Sequence, residues 1–589
     1  MTDNHRHIFL VFAVFFILIA LGFTAVWLRI AHIQTMERAK WEEYAKGQVV
    51  EGVSLPAVRG NILDRNGRLL ASSSPTYTMR FDGRVKPLHE GGDTLFTRYV
   101  DQFSRQLANA LGRPEQADRY YTILVRAHRE KKMITLANHV TYHARHVLLE
   151  TEFVRHGQYK CGITFEARPT RTKQFGVLAS RTIGSTDHET GAGLNGLEFA
   201  FNNQLAGTPG LADRFRAGGE VNYAPIREPV PGMDVVTTID ANIQDIVENR
   251  LKRQLIADNS KRGCCILLEA ATGKVVALAN LERASDDPTH YYEGDNLALR
   301  RFEPGSVFKT IALLAALDQD RLRITDTVSI RRGRWYYNGL GHKDSHEKDT
   351  LFTARDALAI SSNIALAKLI VRAYNGNAEP FVKRVRAFGL TDLSLREIRG
   401  QNARIEVPND RGTIGKMAYG YFVELAPIQT AALYNAIANG GTLYEPYLVQ
   451  EVRRGTEVVE EYEPKVIVKH IAGDQALGEI RSALHDVVWN NGLGTAARKP
   501  WNRKAQSDKV AIAGKTGTAQ MIVDGQYSGE NHRITFVGYF PEDKPLYTCL
   551  MYMEVSKAEF PYYDAGGDCG AAVRDIAERV MAMTSFVDL

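Results

Sequence analysis

Ser306 and Lys309 stand three positions apart, preceded by Pro304-Gly305 and followed by the apolar residues Ile311, Ala312 and Ala315. On a helix that spacing puts a hydroxyl and an amine on one face. Such a hydroxyl is a poor nucleophile until a base takes its proton. Lysine can be that base only when neutral, and its reference pKa of about 10.4 leaves almost none neutral at pH 7. Burial, a helix N-terminus and a second cation would each favour the neutral form. Two further motifs follow in order: Ser361-Ser362-Asn363 and Lys515-Thr516-Gly517-Thr518. They supply a second hydroxyl, an amide, the second cation and a docking strand. This is the residue set of serine acyl transferases.

Each motif alone has a bland reading. Ser-x-x-Lys arises by composition, Ser361 and Asn363 could merely cap a helix from Ile364 to Ala373, and Lys-Thr-Gly-Thr could be a strand edge. Joint occurrence in order favours the chemical reading. Val510 to Ala513 reads as a strand running into Lys515, and Gly517 would let a substrate backbone approach closely. His342, Asp344 and His346 alternate and could be read as a metal site, but the Gly- and charge-rich setting reads better as a solvated or substrate-side loop. No metal and no cofactor is expected.

The elements that must position these groups belong to a long chain. With 589 residues, 44% of them apolar, two or three domains are expected. The net charge of +5, from 73 basic and 68 acidic residues, is too mild to argue for nucleic acid. Cys161, Cys264, Cys265, Cys549 and Cys569 are too few for a disulfide framework, although a Cys549–Cys569 bridge stays open. Adjacent Cys264 and Cys265 should face opposite sides of a strand.

Ile8 to Leu28 carries no charge. At ~1.5 Å per residue it reaches roughly 30 Å, which suits an uncleaved membrane anchor better than a cleaved signal peptide or a buried helix. Arg6 precedes it and Arg29, Arg38, Lys40 and Lys46 follow, so charge alone would leave the bulk of the chain cytoplasmic; the rule is weak for long translocated domains. Strands are expected from about Gln48 to Arg80, a helix from Asp93 to Leu111 (Leu95, Tyr99, Phe103, Leu107 and Leu111 on one face), and mostly helix over 115–160. Gly193 to Gly210 reads as a structured turn region. From Pro231-Gly232 onward, Asp240 leads into a helix, Cys264–Leu268 and Val275–Ala279 form a hairpin, and helices near 306–318, 354–375 and 428–439 precede strands near 510–520, 534–540 and 547–555. Strands at both ends with helices between predict a mixed α/β sandwich, in an α+β multidomain chain.

The chain resembles a class B penicillin-binding protein, a monofunctional peptidoglycan D,D-transpeptidase. The resemblance rests on the three motifs, on Arg59-Gly60-Asn61-Ile62-Leu63-Asp64-Arg65-Asn66-Gly67, on Gly193-Leu194-Asn195-Gly196-Leu197-Glu198 with Leu205-Ala206-Gly207, and on Thr237-Thr238-Ile239-Asp240. Asp344-Ser345-His346 and Tyr419-Gly420-Tyr421 through Pro427-Ile428-Gln429 to Ala438-Asn439-Gly440-Gly441 are most similar to the division (septal) branch rather than the elongation branch. The resemblance implies a cytoplasmic tail and anchor over 1–29, an elongated non-catalytic pedestal (dimerisation-type) domain over 30–230 and a transpeptidase (penicillin-binding, β-lactamase-like) domain over 231–589. It implies a single pass through the bacterial cytoplasmic membrane with the catalytic domain outside.

The implied roles are these. Ser306 attacks the penultimate D-Ala carbonyl of a stem peptide and Lys309 takes its proton. Ser361 relays a proton to the leaving D-Ala nitrogen, held by Asn363 and Lys309. Lys515, Thr516 and Thr518 hold the terminal carboxylate, with Gly517 between them. Backbone N–H groups of Ser306 and Thr518 form the oxyanion hole. Implied ligands and partners are D-Ala-D-Ala stem peptides, β-lactams, a multi-pass membrane glycan polymerase and other division proteins, with 85–160 as a docking surface. A D,D-carboxypeptidase, a β-lactamase or β-lactam sensor, and a non-enzymatic division scaffold are the competing readings.

Overall fold

The computed structural model describes residues 3–46, 50–90, 95–217, 220–285, 287–344 and 350–587. They form two compact units. The first takes in Met1–Val58 and Gly207–Gly232. Its helix Asp3–Thr35 contains the expected apolar run, whose most apolar 18 residues have a mean hydropathy of 2.9 with nothing buried. Among the described residues this is the one helix long and apolar enough to cross a membrane. Helix Arg38–Lys46 follows, and strands Val50–Leu55, Gly210–Ala217 and Glu220–Arg227 form an antiparallel sheet.

The second unit, Arg59–Ala206 with Met233–Leu589, holds two large sheets and, among the described residues, four two-stranded ones. One is six-stranded and antiparallel, in the order Tyr291–Glu293, Val275–Arg283, Arg262–Glu269, Tyr547–Ser556, Gln526–Phe540, Ala513–Val523. Strand alternation sends Cys264, Ile266 and Leu268 to one face and Cys265 and Leu267 to the other. The second face packs on helices Ala241–Ala257 and Ala571–Val587, through Val247, Leu251, Ile576 and Val580. The first packs on Pro427–Ala438, which is buried along its whole length, and Phe308–Asp318 belongs to the same core. The result is the expected α/β sandwich with no doubly wound parallel sheet. Asp240 starts its helix as predicted, its carboxylate accepting from the N–H groups of Asn242 and Ile243.

The other sheet has seven strands. Glu457–Glu461, Val449–Arg454, Asp234–Thr237, Ile62–Leu63, Leu69–Asp82 and Met133–Val140 lie in that order, and Ile163–Lys173 pairs with Leu69–Asp82. Ile62–Leu63 and Asp234–Thr237 pair in parallel. The helix predicted from Asp93 runs Leu95–Ala110, with Phe96, Val100, Phe103 and Leu107 innermost. Asp93 lies outside the described residues. Over 115–160 the chain is mostly helical as expected, with one exception: helices Ala117–Arg129 and Tyr142–Leu149 flank a strand, Met133–Val140, that extends the sheet beside Leu69–Asp82.

Two motifs distant in sequence meet here. Glu198 is buried with both oxygens occupied: Arg59 Nε donates to one at 2.7 Å and Arg171 Nε to the other at 2.6 Å. Asp64, also buried, accepts from the N–H groups of Asn66 and Arg68 and from Arg68 Nε at 2.7 Å, while Arg65 N–H donates to Ile239 O at 2.8 Å. The Arg59–Gly67 motif therefore docks on Thr238–Asp240. All five cysteines are buried and none is in a disulfide. Cys549 lies with its sulfur 3.8 Å from that of Cys265, a different neighbour from the Cys569 considered from sequence.

Candidate active site

Ser306 sits in a single 3-10 turn, Gly305–Val307, that leads directly into helix Phe308–Asp318. Gly305 has φ +59, and a Cβ there would come within 2.8 Å of Ala519 Cβ and 2.9 Å of Thr518 O. Gly420, at φ +88, is tighter still: a Cβ would lie 2.1 Å from Gly305 O. The nucleophile turn is thus wedged between the Gly420 loop and the edge strand Ala513–Val523, and only glycines permit the approach. The room beside Gly517 is taken by the chain's own Val307, whose Cγ1 would be 2.9 Å from an added Cβ. That strand begins at Ala513, so Val510 to Ile512 is irregular chain rather than the strand expected to lead in.

The predicted helix over 354–375 is two helices, Ala354–Ala359 and Asn363–Ala373, separated by Ser361-Ser362. Ser362 caps the second, its hydroxyl accepting from Ala365 N–H at 3.0 Å. Ser361 is held at φ +60, a left-handed conformation that a non-glycine residue adopts at a cost of about 1–3 kcal/mol and that concentrates at functional sites. The capping that could have explained the motif away therefore belongs to Ser362, and Ser361 is turned out of the helix.

Two lysines converge on it. Lys309 Nζ donates to Ser361 Oγ at 3.1 Å and to Ser361 O, and Lys515 Nζ donates to the same Oγ at 2.9 Å and to Thr516 O at 2.9 Å. Both side chains are fully buried. Burial pushes the Lys309 ammonium down to about 7, opposed by the nearby Asp344 carboxylate. Lys515 is driven well below its ordinary value, first by burial and then by the charge of Lys309. Burial is the largest cause for both lysines, and the two charges oppose each other. Two ammoniums on one hydroxyl titrate as a pair, and the pair favours losing a proton. Among the described residues no hydrogen bond reaches Ser306 Oγ; catalytic contacts of this kind are often loose until substrate binds.

Asn363 Nδ2 donates to Lys343 O at 3.0 Å, and its backbone N–H donates to Asp344 Oδ1 at 2.6 Å. Ser362 Oγ donates to Asp344 Oδ2. Thr516 Oγ1 is 2.6 Å from Thr495 Oγ1, and Thr518 is exposed on the same strand. The structure thus brings Lys309, Ser361 and Lys515 into direct contact, with Ser306 on the next turn and Asn363, Thr516, Gly517 and Thr518 around them.

His342 and Asp344 correct the reading of a solvated loop, since both are buried. His342 Nδ1 lies 3.1 Å from the Tyr419 hydroxyl, its ring packs on Trp335, and burial with the Lys416 charge pushes it down to about 4. Ser345 and His346 lie outside the described residues. Asp344 and Thr495 carry structural tasks that sequence did not assign: one orients Ser362-Asn363, the other braces Thr516. Tyr419, read only as part of a branch motif, places its ring centroid 6.0 Å from Lys309 Nζ, within cation–π range.

Residues 263–580 match the family model described as the penicillin binding protein transpeptidase domain, and residues 54–237 the penicillin-binding protein dimerisation domain. The chain is similar to stage V sporulation protein D of Bacillus subtilis, 26% identical over 554 residues that cover 90% of this chain and 78% of that protein. It is also similar to peptidoglycan D,D-transpeptidase FtsI of Escherichia coli, 25% identical over 531 residues, 87% of this chain and 82% of that one. Among solved structures, penicillin binding protein 2X from Streptococcus thermophilus shares the fold with a TM-score of 0.71 at 20% identity, covering 91% of this chain and 81% of that chain. Penicillin binding protein 3 from Mycobacterium tuberculosis, complexed with aztreonam, does so with a TM-score of 0.63 at 20% identity, covering 90% and 97%. With the transpeptidase model alone matching more than half of its length, the chain belongs to the penicillin-binding protein family.

Proposed function

We propose that this chain is a membrane-anchored peptidoglycan D,D-transpeptidase of the division type, working through a Ser306 acyl-enzyme. The observation that carries the reading is the convergence of two buried lysines on Ser361 Oγ, at 3.1 and 2.9 Å, beside the turn that presents Ser306. A lysine near neutrality can take the Ser306 proton at physiological pH. Ser361, already bonded to both amines, is suited to pass a proton to the leaving D-Ala nitrogen, with Asn363 beside it. The carboxylate of the stem peptide meets Lys515, Thr516 and Thr518. The peptide lies along the free edge of Ala513–Val523 as an added strand. The N–H groups of Ser306 and Thr518 receive the developing oxyanion, where one donor is worth about 3 kcal/mol. An amine of a second stem peptide then takes the acyl group, which restores Ser306. A β-lactam stops at the acyl stage.

Names among the relatives, peptidoglycan D,D-transpeptidase FtsI and probable peptidoglycan D,D-transpeptidase PenA, support this substrate, and the aztreonam complex of a structural neighbour supports β-lactam binding. The helix Asp3–Thr35 supports an anchor. The assignment of 1–29 as tail and anchor, 30–230 as pedestal and 231–589 as transpeptidase domain belongs to this reading. So do an extracytoplasmic catalytic domain and a glycan-polymerising membrane partner. The test is cross-linking: the full-length protein in detergent, given nascent glycan strands, should yield stem-peptide dimers by mass spectrometry, and Ser306→Ala should not. Loss of terminal D-Ala without dimers would replace transpeptidase by carboxypeptidase.

A further inference from the structure

Glu303 lies three residues before Ser306 and is buried. Its Oε1 accepts two hydrogen bonds, from Phe422 N–H at 2.8 Å and from the Tyr527 hydroxyl at 2.8 Å. Its Oε2 is buried and has no partner among the described residues. The two donors come from different elements. Tyr527 stands at the tip of the Gln526–Phe540 strand, where the edge hairpin turns. Phe422 closes the loop whose Gly420 packs on Gly305, and it is held at φ +61, an outlier for a bulky residue, with its ring exposed. A tyrosine ladder joins these points to the lysines. Tyr527 meets Tyr421 edge-to-face at 5.3 Å, Tyr421 meets Tyr419 at 5.6 Å, and Tyr419 faces Lys309.

We propose that Glu303 is a positioning residue for acyl transfer: its Oε1 pins the Gly420–Phe422 loop and the hairpin tip to the turn that carries Ser306. This rests on the acyl-enzyme reading above. The charged neighbours agree with a held acceptor. Arg533 faces Glu303 and favours its ionised form, Glu424 and burial oppose it, and burial is the largest influence. The guanidinium of Arg533 makes no hydrogen bond to it; its Nε donates to the Tyr552 hydroxyl at 3.2 Å. The bonds to Phe422 and Tyr527 are therefore what fixes the carboxylate, and in return it restrains a strained loop residue and the free end of the substrate-binding hairpin. Without that restraint Ser306 and Thr518 lose their fixed separation, and a misplacement of about 1 Å costs on the order of a hundredfold in rate.

The test is benzylpenicillin acylation of the full-length chain in detergent, followed by intact mass, separating the pre-covalent affinity from the acylation rate constant. Glu303→Ala should lower the rate constant by about ten- to a hundredfold and leave the affinity within a few-fold. Glu303→Gln keeps an amide oxygen for both donors and should recover most of that loss. Tyr527→Phe should show a smaller loss, and adding it to Glu303→Ala should cost nothing more, because the Ala variant has already lost the Tyr527 bond. A native rate constant in Glu303→Ala, a Gln variant as slow as the Ala variant, or losses that multiply in the double variant would each overturn the inference. If Glu303→Ala fails to melt cooperatively, a native rate in Tyr527→Phe overturns it instead. Absence of any adduct on the wild-type chain would overturn the acyl-enzyme reading itself.

Discussion

Ser361 is the residue on which the chemistry turns, because it touches both lysines while held at φ +60. Lys309 is buried and sits near pH 7, so the neutral base is scarce below that pH and abundant above it. The acylation rate should therefore rise with pH through about 7 and then level off, read from benzylpenicillin acylation between pH 5 and 9. Asp344 pulls the Lys309 value upward. Asp344→Asn removes that pull, so its acid limb should move to lower pH; a limb that moves up would contradict the assignment. Lys309→Arg, always charged, should lose about 10²–10⁴ in rate. At this scale the sequence was legible where chemistry dictates residue type, in Ser306, Lys309, Ser361 and Lys515. It was not legible where a residue acts by support. Asp344 looked like a metal ligand or a solvated loop acid, and its partnership with Ser362 and Asn363 exists only once the loop and the helix start are brought together. Thr495 carried no signal, since a lone threonine has none before Thr516 is placed beside it.

Elements set the approach of these groups. The helix Phe308–Asp318 could be assigned from sequence, because its run Ile311 to Leu317 is wholly apolar and has only the core to occupy. The division of 354–375 into two helices was half legible: Ser361 and Asn363 marked a possible helix start, but not that Ser362 makes the cap while Ser361 turns to the lysines. Met133–Val140 was missed because its neighbours are strongly helical and its partner strand lies distant in sequence, at Leu69–Asp82. The glycines at the nucleophile turn make the next prediction. Gly420→Ala places a Cβ 2.1 Å from Gly305 O at φ +88, so the loop must withdraw from the turn. Acylation should fall by at least about tenfold, while unfolding should be eased by only about 1–3 kcal/mol. Parallel acylation and urea-unfolding measurements check both parts. A native acylation rate would mean that the turn does not depend on the loop.

Across the larger unit, the motifs without catalytic groups are joints. Glu198 satisfies Arg59 and Arg171 at once, and Asp64 holds the turn that meets Ile239. From sequence Arg59 and Glu198 stood in two separate motifs and Arg171 in none, and only the fold shows that they are partners. Removing the carboxylate leaves two buried guanidiniums without it. Glu198→Ala should therefore destabilise the protein by about 3–5 kcal/mol in urea unfolding, with the acylation rate of the folded fraction unchanged. One sheet draws strands from both sides of residue 231, Leu69–Asp82 and Val449–Arg454 among them. Pairing of this kind depends on contacts far apart in sequence, which local periodicity cannot register.

The most direct test of the account is intact-mass spectrometry of the full-length protein after benzylpenicillin, beside Ser306→Ala. The account predicts one stable adduct per chain on the native protein and none on the variant. A folded native protein that gains no mass, or a variant that gains as much, would contradict the Ser306 acyl-enzyme on which the function rests.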